Sequence, residues 1–177
     1  TEFANLAIAS VINQDYSNVE VLVVFDNPYN KVLISYVEDS FNGKVRFIYN
    51  EENLGLPLSL NKAILQSKGQ YIVRMDGDDI SLPNRISTQV DFMERNPSVS
   101  LAGMQAFTIN DIGERTGCYI KPLGFSNIVK YARFGSPILH PTWIVRSDVF
   151  SIVGYYDNVT PAQDYFFIGK VIKSGLE

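Results

Sequence analysis

The feature that most constrains the fold is an alternation of two periods along the first hundred residues. Residues 3–14 repeat at helical spacing, with Phe3, Ala7 and Val11 on one side. They lead into Val19-Glu20-Val21-Leu22-Val23-Val24-Phe25, a nearly continuous apolar run that suits a strand covered on both faces of a sheet. The same pattern predicts a helix over 30–40 and a strand over 45–49. A further helix begins near residue 57, carries Leu60, Ala63 and Ile64, and is expected to end at Gly69. Residues 71–75 form the third strand. Pro83 then sits where a helix begins, Ile86, Val90 and Met93 recur at helical spacing, and Asn96-Pro97 stops it. Strands alternating with helices imply an α/β domain with a mostly parallel sheet and helices on both faces.

From residue 98 the pattern changes. Residues 99–109 are strand-like, Asn110-Asp111-Ile112-Gly113 is a turn, and 119–120 is a returning strand. The segment 121–141 is irregular, a strand follows over 142–145, and the last helix is expected from Thr160. No repeat or linker interrupts the 177 residues, so one domain is expected. A chain of that length with 46% hydrophobic residues buries a core without a metal or disulfide staple. The single Cys118 excludes an internal disulfide, and the single His140 excludes a multi-histidine metal site. A net charge of −4 argues against a nucleic-acid partner. No apolar run approaches the roughly 18 residues of a membrane helix and no signal peptide opens the chain, which predicts a soluble, intracellular domain.

Directly after the third strand comes Asp76-Gly77-Asp78-Asp79. Ligands of parallel α/β sheets bind at the carboxyl ends of strands, which is where this loop lies. Carboxylates one residue apart can share Mg²⁺ or Mn²⁺, and the cation in turn holds phosphate oxygens. The pattern alone is weak evidence. With 11 aspartates in the chain, an Asp-x-Asp spacing arises by chance about 0.7 times. Acidic residues also suit the approach to the helix near Pro83.

The surrounding residues add specificity. The run from Gly69 to Arg85, through Met75-Asp76-Gly77-Asp78-Asp79, strongly resembles the core of the family 2 glycosyltransferases. Ser10-Val11-Ile12-Asn13-Gln14, Phe25-Asp26-Asn27, Asn53-Leu54-Gly55-Leu56, Leu60-Asn61-Lys62-Ala63, His140-Pro141-Thr142, Val153-Gly154-Tyr155-Tyr156-Asp157 and Gln163-Asp164-Tyr165 are similar to the same family in its order. The resemblance implies a GT-A fold, a Rossmann-like three-layer sandwich with a mixed, mostly parallel sheet. Residues 1–97 would form its nucleotide-sugar-binding half and 98–177 its acceptor half.

The roles it implies run residue by residue. Asp26 would hydrogen-bond the nucleotide base, its alternative being a loop aspartate that starts a turn with Pro28. Asn53 and Gly55 would lie beside the base, Asp76 near the ribose and the metal, and Asp78 would be the principal metal ligand, with Mn²⁺ or Mg²⁺ as cofactor. Asp164 would be the catalytic base, preceded by Gln163 where the family usually has Glu. Thr160-Pro161-Ala162-Gln163 also fits a capping box, a structural role compatible with the catalytic one. Gln163 and His140 are acceptor-site candidates, His140 equally a satisfied core residue. Lys62 and Lys68 read as solvated helix charges, and Trp143, Tyr155 and Tyr156 as core aromatics or sugar-stacking platforms.

The activity implied is inverting transfer of a sugar from a nucleoside diphosphate donor, UDP favoured, to a saccharide or lipid-linked hydroxyl acceptor. Its setting would be surface polysaccharide or glycoconjugate synthesis, in the cytoplasm or at the cytoplasmic face of the membrane. The alternative is a non-catalytic nucleotide-sugar-binding module of the same fold. A nucleotidyltransferase or an NAD-binding domain fits less well, because their glycine-rich phosphate loops are absent from the sequence. Family members open with a strand just before the first helix, in mid-sheet between those ending near Phe25 and Met75. The expectation is therefore that this strand lies before residue 1 and that the chain is trimmed at both ends.

Overall fold

The structure is a computed structural model and describes residues 2–177. The chain runs α1 (Glu2–Ile12), β1 (Leu22–Phe25), α2 (Lys31–Phe41), β2 (Arg46–Tyr49), α3 (Leu56–Gln66), β3 (Tyr71–Val73) and α4 (Arg85–Arg95), the alternation that the sequence pattern predicts. The strands are shorter than their apolar runs. The helix expected to end at Gly69 ends earlier, at Ser67. There the Ser67 N–H and hydroxyl both donate to the Ile64 carbonyl, at 3.1 and 2.7 Å, which satisfies that carbonyl and releases the chain into extended backbone.

The second half carries β4 (Leu101–Ala102), β5 (Ala106–Ile109), β6 (Arg115–Tyr119), α5 (Phe125–Tyr131), a 3-10 turn (His140–Thr142), β7 (Ile144–Arg146), α6 (Val149–Val153) and α7 (Gln163–Lys173). The single strand expected over 99–109 is broken in two. A Cβ at Gly103 would stand 2.2 Å from Ile138 Cγ2 and 3.0 Å from Thr142 Oγ1. The backbone there packs against the 138–142 segment instead of a strand, and Thr142 Oγ1 accepts from the Met104 N–H at 3.0 Å. The short helices α5 and α6 were not anticipated.

Three sheets result among the described residues. β1 pairs with β2 in parallel, from Leu22↔Arg46 to Phe25↔Tyr49. β3 and β4 flank β7, antiparallel to it, in the order β3-β7-β4. β5 and β6 form an antiparallel hairpin. The pairing of β3 with β7 joins the sequence before residue 97 to the sequence after it.

Two cores match the first two sheets. Phe25, Ile34, Val37 and Phe41 anchor one, closed by Ala4, Ile8 and Ile12 of α1. Trp143, Val145, Phe150, Tyr156, Phe167 and Ile168 anchor the other, closed by Leu60 and Ile64 of α3. Between them runs a cleft of about 800 Å³ walled by Leu22, Val23 and Val24 of β1, Ile72 and Val73 of β3, and apolar residues of α1, α3 and α4. β1 and β3 are not paired with each other among the described residues. Asp26, Arg74 and Asp76, which follow β1 and β3 in the chain, line the same cleft.

Candidate functional site

Asp26 follows the last residue of β1, and its carboxylate turns into the loop over 50–55. Oδ1 accepts from Asn50 Nδ2 at 2.9 Å, the Leu54 N–H at 2.8 Å and Ser59 Oγ at 2.9 Å. Oδ2 accepts from the Gly55 N–H at 3.1 Å. Burial alone pushes its pKa up, but these four partners together outweigh burial and hold it below the ordinary carboxylate value. The turn at Pro28 is capped by Asn27, whose Oδ1 accepts from the Tyr29 N–H. Asp26 is therefore the clamp of the 50–55 loop and not the start of that turn.

The loop is built for such a clamp. Asn53 Oδ1 accepts from the Gly55 N–H at 3.2 Å, and Gly55 enters α3 at φ 79°, a conformation that favours glycine. Asn50, 2% exposed, donates to Ser59 Oγ at 2.7 Å and accepts from Lys62 Nζ at 3.0 Å. Lys62 also donates to the Tyr49 carbonyl at 2.6 Å. Lys62 is thus part of this network and not a solvated helix charge.

At the end of β3, Arg74 is buried and forks onto Asp76. Its Nη1 donates to Oδ2 at 2.8 Å, and its Nη2 pairs with Oδ1. Asp78 stands exposed beside them. Burial, then the charges of Asp76 and Asp78, push the neighbouring Asp79 carboxyl up, against the pull of Arg74 and Arg85. Beneath the loop Arg85 donates to Gln89 Oε1, Ser81 Oγ, the Arg74 carbonyl and the Pro141 carbonyl, at 2.7–3.1 Å. Burial lowers its pKa to about 10. One side chain thereby ties β3, α4 and the 3-10 turn together.

Among the described residues no three or more His, Cys, Asp or Glu side chains gather to hold a metal. One exposed carboxylate and one held by arginine do suit a cation that takes most of its ligands from phosphate oxygens and water, as Mg²⁺ does.

The other half of the site is aromatic. His140 is 8% exposed; its Nε2 lies 3.0 Å from the Tyr156 hydroxyl and its ring meets Trp143 edge-on at 4.6 Å. Burial, helped by the charge of Arg74, lowers its pKa to about 3, so the imidazole is neutral near pH 7. These contacts describe the core side of the alternative for His140, and Trp143 and Tyr156 are core as well. Asp164 lies in the first turn of α7, and its Oδ2 accepts from Ser136 Oγ at 2.9 Å. The expected capping box does not form. The chain turns over 160–162, so α7 is entered at Gln163 with Ala162 as its N-cap, and no side chain caps it. Gln163 is buried with its Oε1 unpartnered.

The structure thus brings Asp26 and Asp76 to one cleft and places Asp76, Asp79, His140 and Tyr156 within electrostatic reach of Arg74. Asp164 joins through its effect on Tyr156. Arg74, Asn50 and Ser136 were missed from the sequence. A charge closing an otherwise apolar strand was the available signal for Arg74. Nothing local marks the other two, whose partners are 24 and 28 residues away.

Comparison with known proteins is consistent with this arrangement. The family model described as glycosyl transferase family 2 matches residues 3–151. An uncharacterized glycosyltransferase of Methanocaldococcus jannaschii is 34% identical over 122 residues, 68% of this chain and 42% of that protein. The amylovoran biosynthesis glycosyltransferase AmsE of Erwinia amylovora is 30% identical over 125 residues, 71% of this chain and 47% of that one. The UDP-Gal:alpha-D-GlcNAc-diphosphoundecaprenol beta-1,3-galactosyltransferase of Escherichia coli is 31% identical over 127 residues, 71% of this chain and 46% of that one. The chain spans less than half the length of these relatives.

Among solved structures, S. aureus TarS 1-349 in complex with UDP-GlcNAc superposes with a TM-score of 0.73 at 18% identity, over 98% of this chain and 50% of that one. The mannosyltransferase PcManGT from Pyrobaculum calidifontis, in complex with GDP-Man and Mn²⁺, gives 0.72 at 15% identity, over 99% of this chain and 50% of that one. These likenesses show the GT-A fold.

Proposed function

The chain belongs to glycosyl transferase family 2, and we propose that it carries the donor and base groups of an inverting sugar transfer from a nucleoside diphosphate-sugar to a hydroxyl acceptor. The observation that carries this reading is the cleft at which Asp26, after β1, and the Arg74-held Asp76, after β3, meet. In open α/β sheets such strand-end crevices take the ligand.

Asp26 and the loop over Asn53 and Gly55 would face the nucleotide base, Asp26 offering the remaining lone pairs of Oδ2 to an N–H of uracil. UDP-sugars are the favoured donors. They are what two of the compared proteins' names carry, UDP-Gal for one relative and UDP-GlcNAc for one solved complex. Asp78, with Asp76 beside it, would hold Mn²⁺ or Mg²⁺. The cation would neutralise the charge that grows on the diphosphate as it leaves.

Asp164 would accept the proton of the attacking hydroxyl. It already accepts a hydroxyl hydrogen bond, from Ser136 at 2.9 Å, the distance over which such a transfer takes place. Attack opposite the leaving diphosphate, with no enzyme nucleophile between, inverts the anomeric centre. His140 and Gln163 would shape the acceptor side from behind rather than titrate there. The AmsE likeness favours a saccharide acceptor in polysaccharide synthesis.

Asp164→Asn tests the assignment. Transfer is expected to fall by about 10²–10⁴-fold with the affinity for UDP and Mn²⁺ unchanged. Near-normal turnover in that variant would remove Asp164 from the base role. Tight UDP binding without donor turnover in the unaltered protein would describe a non-catalytic nucleotide-sugar-binding module instead.

A further inference from the structure

Building on the donor-site reading above, we propose that Arg74 is a positioning residue of the donor site: its guanidinium fixes Asp76 and is the cation that lets a loop of three aspartates accept a diphosphate.

Arg74 closes a strand that is otherwise Tyr71-Ile72-Val73, and it is 7% exposed. A buried cation is costly unless it is paired, so its partner is the first clue to its role. That partner is Asp76, gripped by both ends of the fork, Nη1 to Oδ2 at 2.8 Å and Nη2 to Oδ1. Two parallel bonds fix the rotation of the carboxylate as well as its place, which a single bond from a lysine cannot do. The Asp76 side chain remains 39% exposed and lines the cleft, so one face of the held carboxylate is left for a ligand.

The mount is rigid. The Arg74 N–H donates to the Trp143 carbonyl at 3.0 Å, and its carbonyl accepts from Arg85 Nη2 at 2.7 Å. Arg74 Nε is buried without a partner, so the donor at that nitrogen is uncommitted.

Charge gives the second line of argument. Asp76, Asp78 and Asp79 crowd one loop, and their like charges repel. A diphosphate brought to that loop meets the same repulsion. Arg74 reaches the aspartate loop through its fork onto Asp76 and the aromatic wall through its N–H to the Trp143 carbonyl, so its charge stands between the two. Arg85 offers no second fork there, because each of its three nitrogens already donates, to Gln89, Ser81 and two carbonyls.

The test is titration calorimetry of UDP with Mn²⁺ on the whole protein, comparing Arg74→Ala, Arg74→Lys and Asp78→Asn. Arg74→Ala is expected to weaken binding by about tenfold to a hundredfold, the worth of a charge-assisted pair. Arg74→Lys is expected to recover only part of it. Added guanidinium at sub-denaturing concentration, but not sodium at equal ionic strength, is expected to restore the alanine variant, a selectivity that a merely structural loss would not show. Should Arg74→Ala fail to fold, Arg74→Lys carries the test, since it keeps the charge and both backbone anchors. Unchanged affinity in the arginine variants beside a clear loss in Asp78→Asn overturns the proposal. Unchanged affinity in all three, Asp78→Asn included, removes the donor-site reading and the proposal with it.

Discussion

The one imidazole of the chain makes stability depend on pH in a direction fixed by its burial. His140 titrates near 3 in the fold and near 6.5 when unfolded, so across that window the unfolded chain binds the extra proton. Its contribution to stability is complete above about pH 6.5 and is lost progressively as pH falls toward 3. Between pH 7 and pH 4 this amounts to a loss on the order of 2–4 kcal/mol. Denaturant unfolding along that range is expected to show the slope in the wild type and to lose it in His140→Gln. An equal slope in both would place the titration on another group. Asp26 shows the opposite sign of environment at the same scale: four hydrogen bonds hold a partly buried carboxylate charged. The residue that sequence reading reserved for a ligand is therefore also the one that fastens the loop beside it.

At the scale of elements, much was legible because the signal was periodic. α1 through α4 and β1 through β3 announce themselves by the 3.6-residue and continuous apolar patterns, and the aspartate loop by its place after a strand. The pattern failed where a distant contact decides. The 99–109 run reads as one strand because nothing local says that Gly103 must clear Ile138 and Thr142. Gly103→Ala is expected to lower stability by about 1–3 kcal/mol, seen as a reduced Tm, since the neighbours must move to admit a Cβ. An unchanged Tm would mean that the 138–142 segment is free to shift. The helices α5 and α6, with seven and five residues, are too short to show a face. The capping box at Thr160–Gln163 was the right sequence in the wrong place, because the turn over 160–162 starts α7 later than the motif implies. Elements also hold each other through single side chains that no pattern reveals. Asn61 of α3 clasps the backbone of Tyr156, donating to its carbonyl at 2.8 Å and accepting from its N–H at 2.9 Å. It thereby sets the tyrosine that faces His140.

At the scale of the whole molecule, two cores stand side by side, bridged by α3 and by the groups at the strand ends. The lower part of the space between them is apolar. Its walls include one edge of β1 and one edge of β3, each with backbone groups that no neighbouring strand claims among the described residues. Such edges pair with any extended segment that reaches them. Val24→Lys, at a cleft position outside both cores, is expected to oppose that pairing. Sedimentation velocity of a polypeptide of residues 1–177 is the measurement: its average mass should rise with concentration, less so in the variant. A mass independent of concentration in both would show the edges to be shielded. The consequence is kinetic. If one molecule's edge is met by another's segment, loss of the single-molecule form is second order in protein. The shelf life of a concentrated sample is then set by how often molecules collide, and each twofold dilution doubles it.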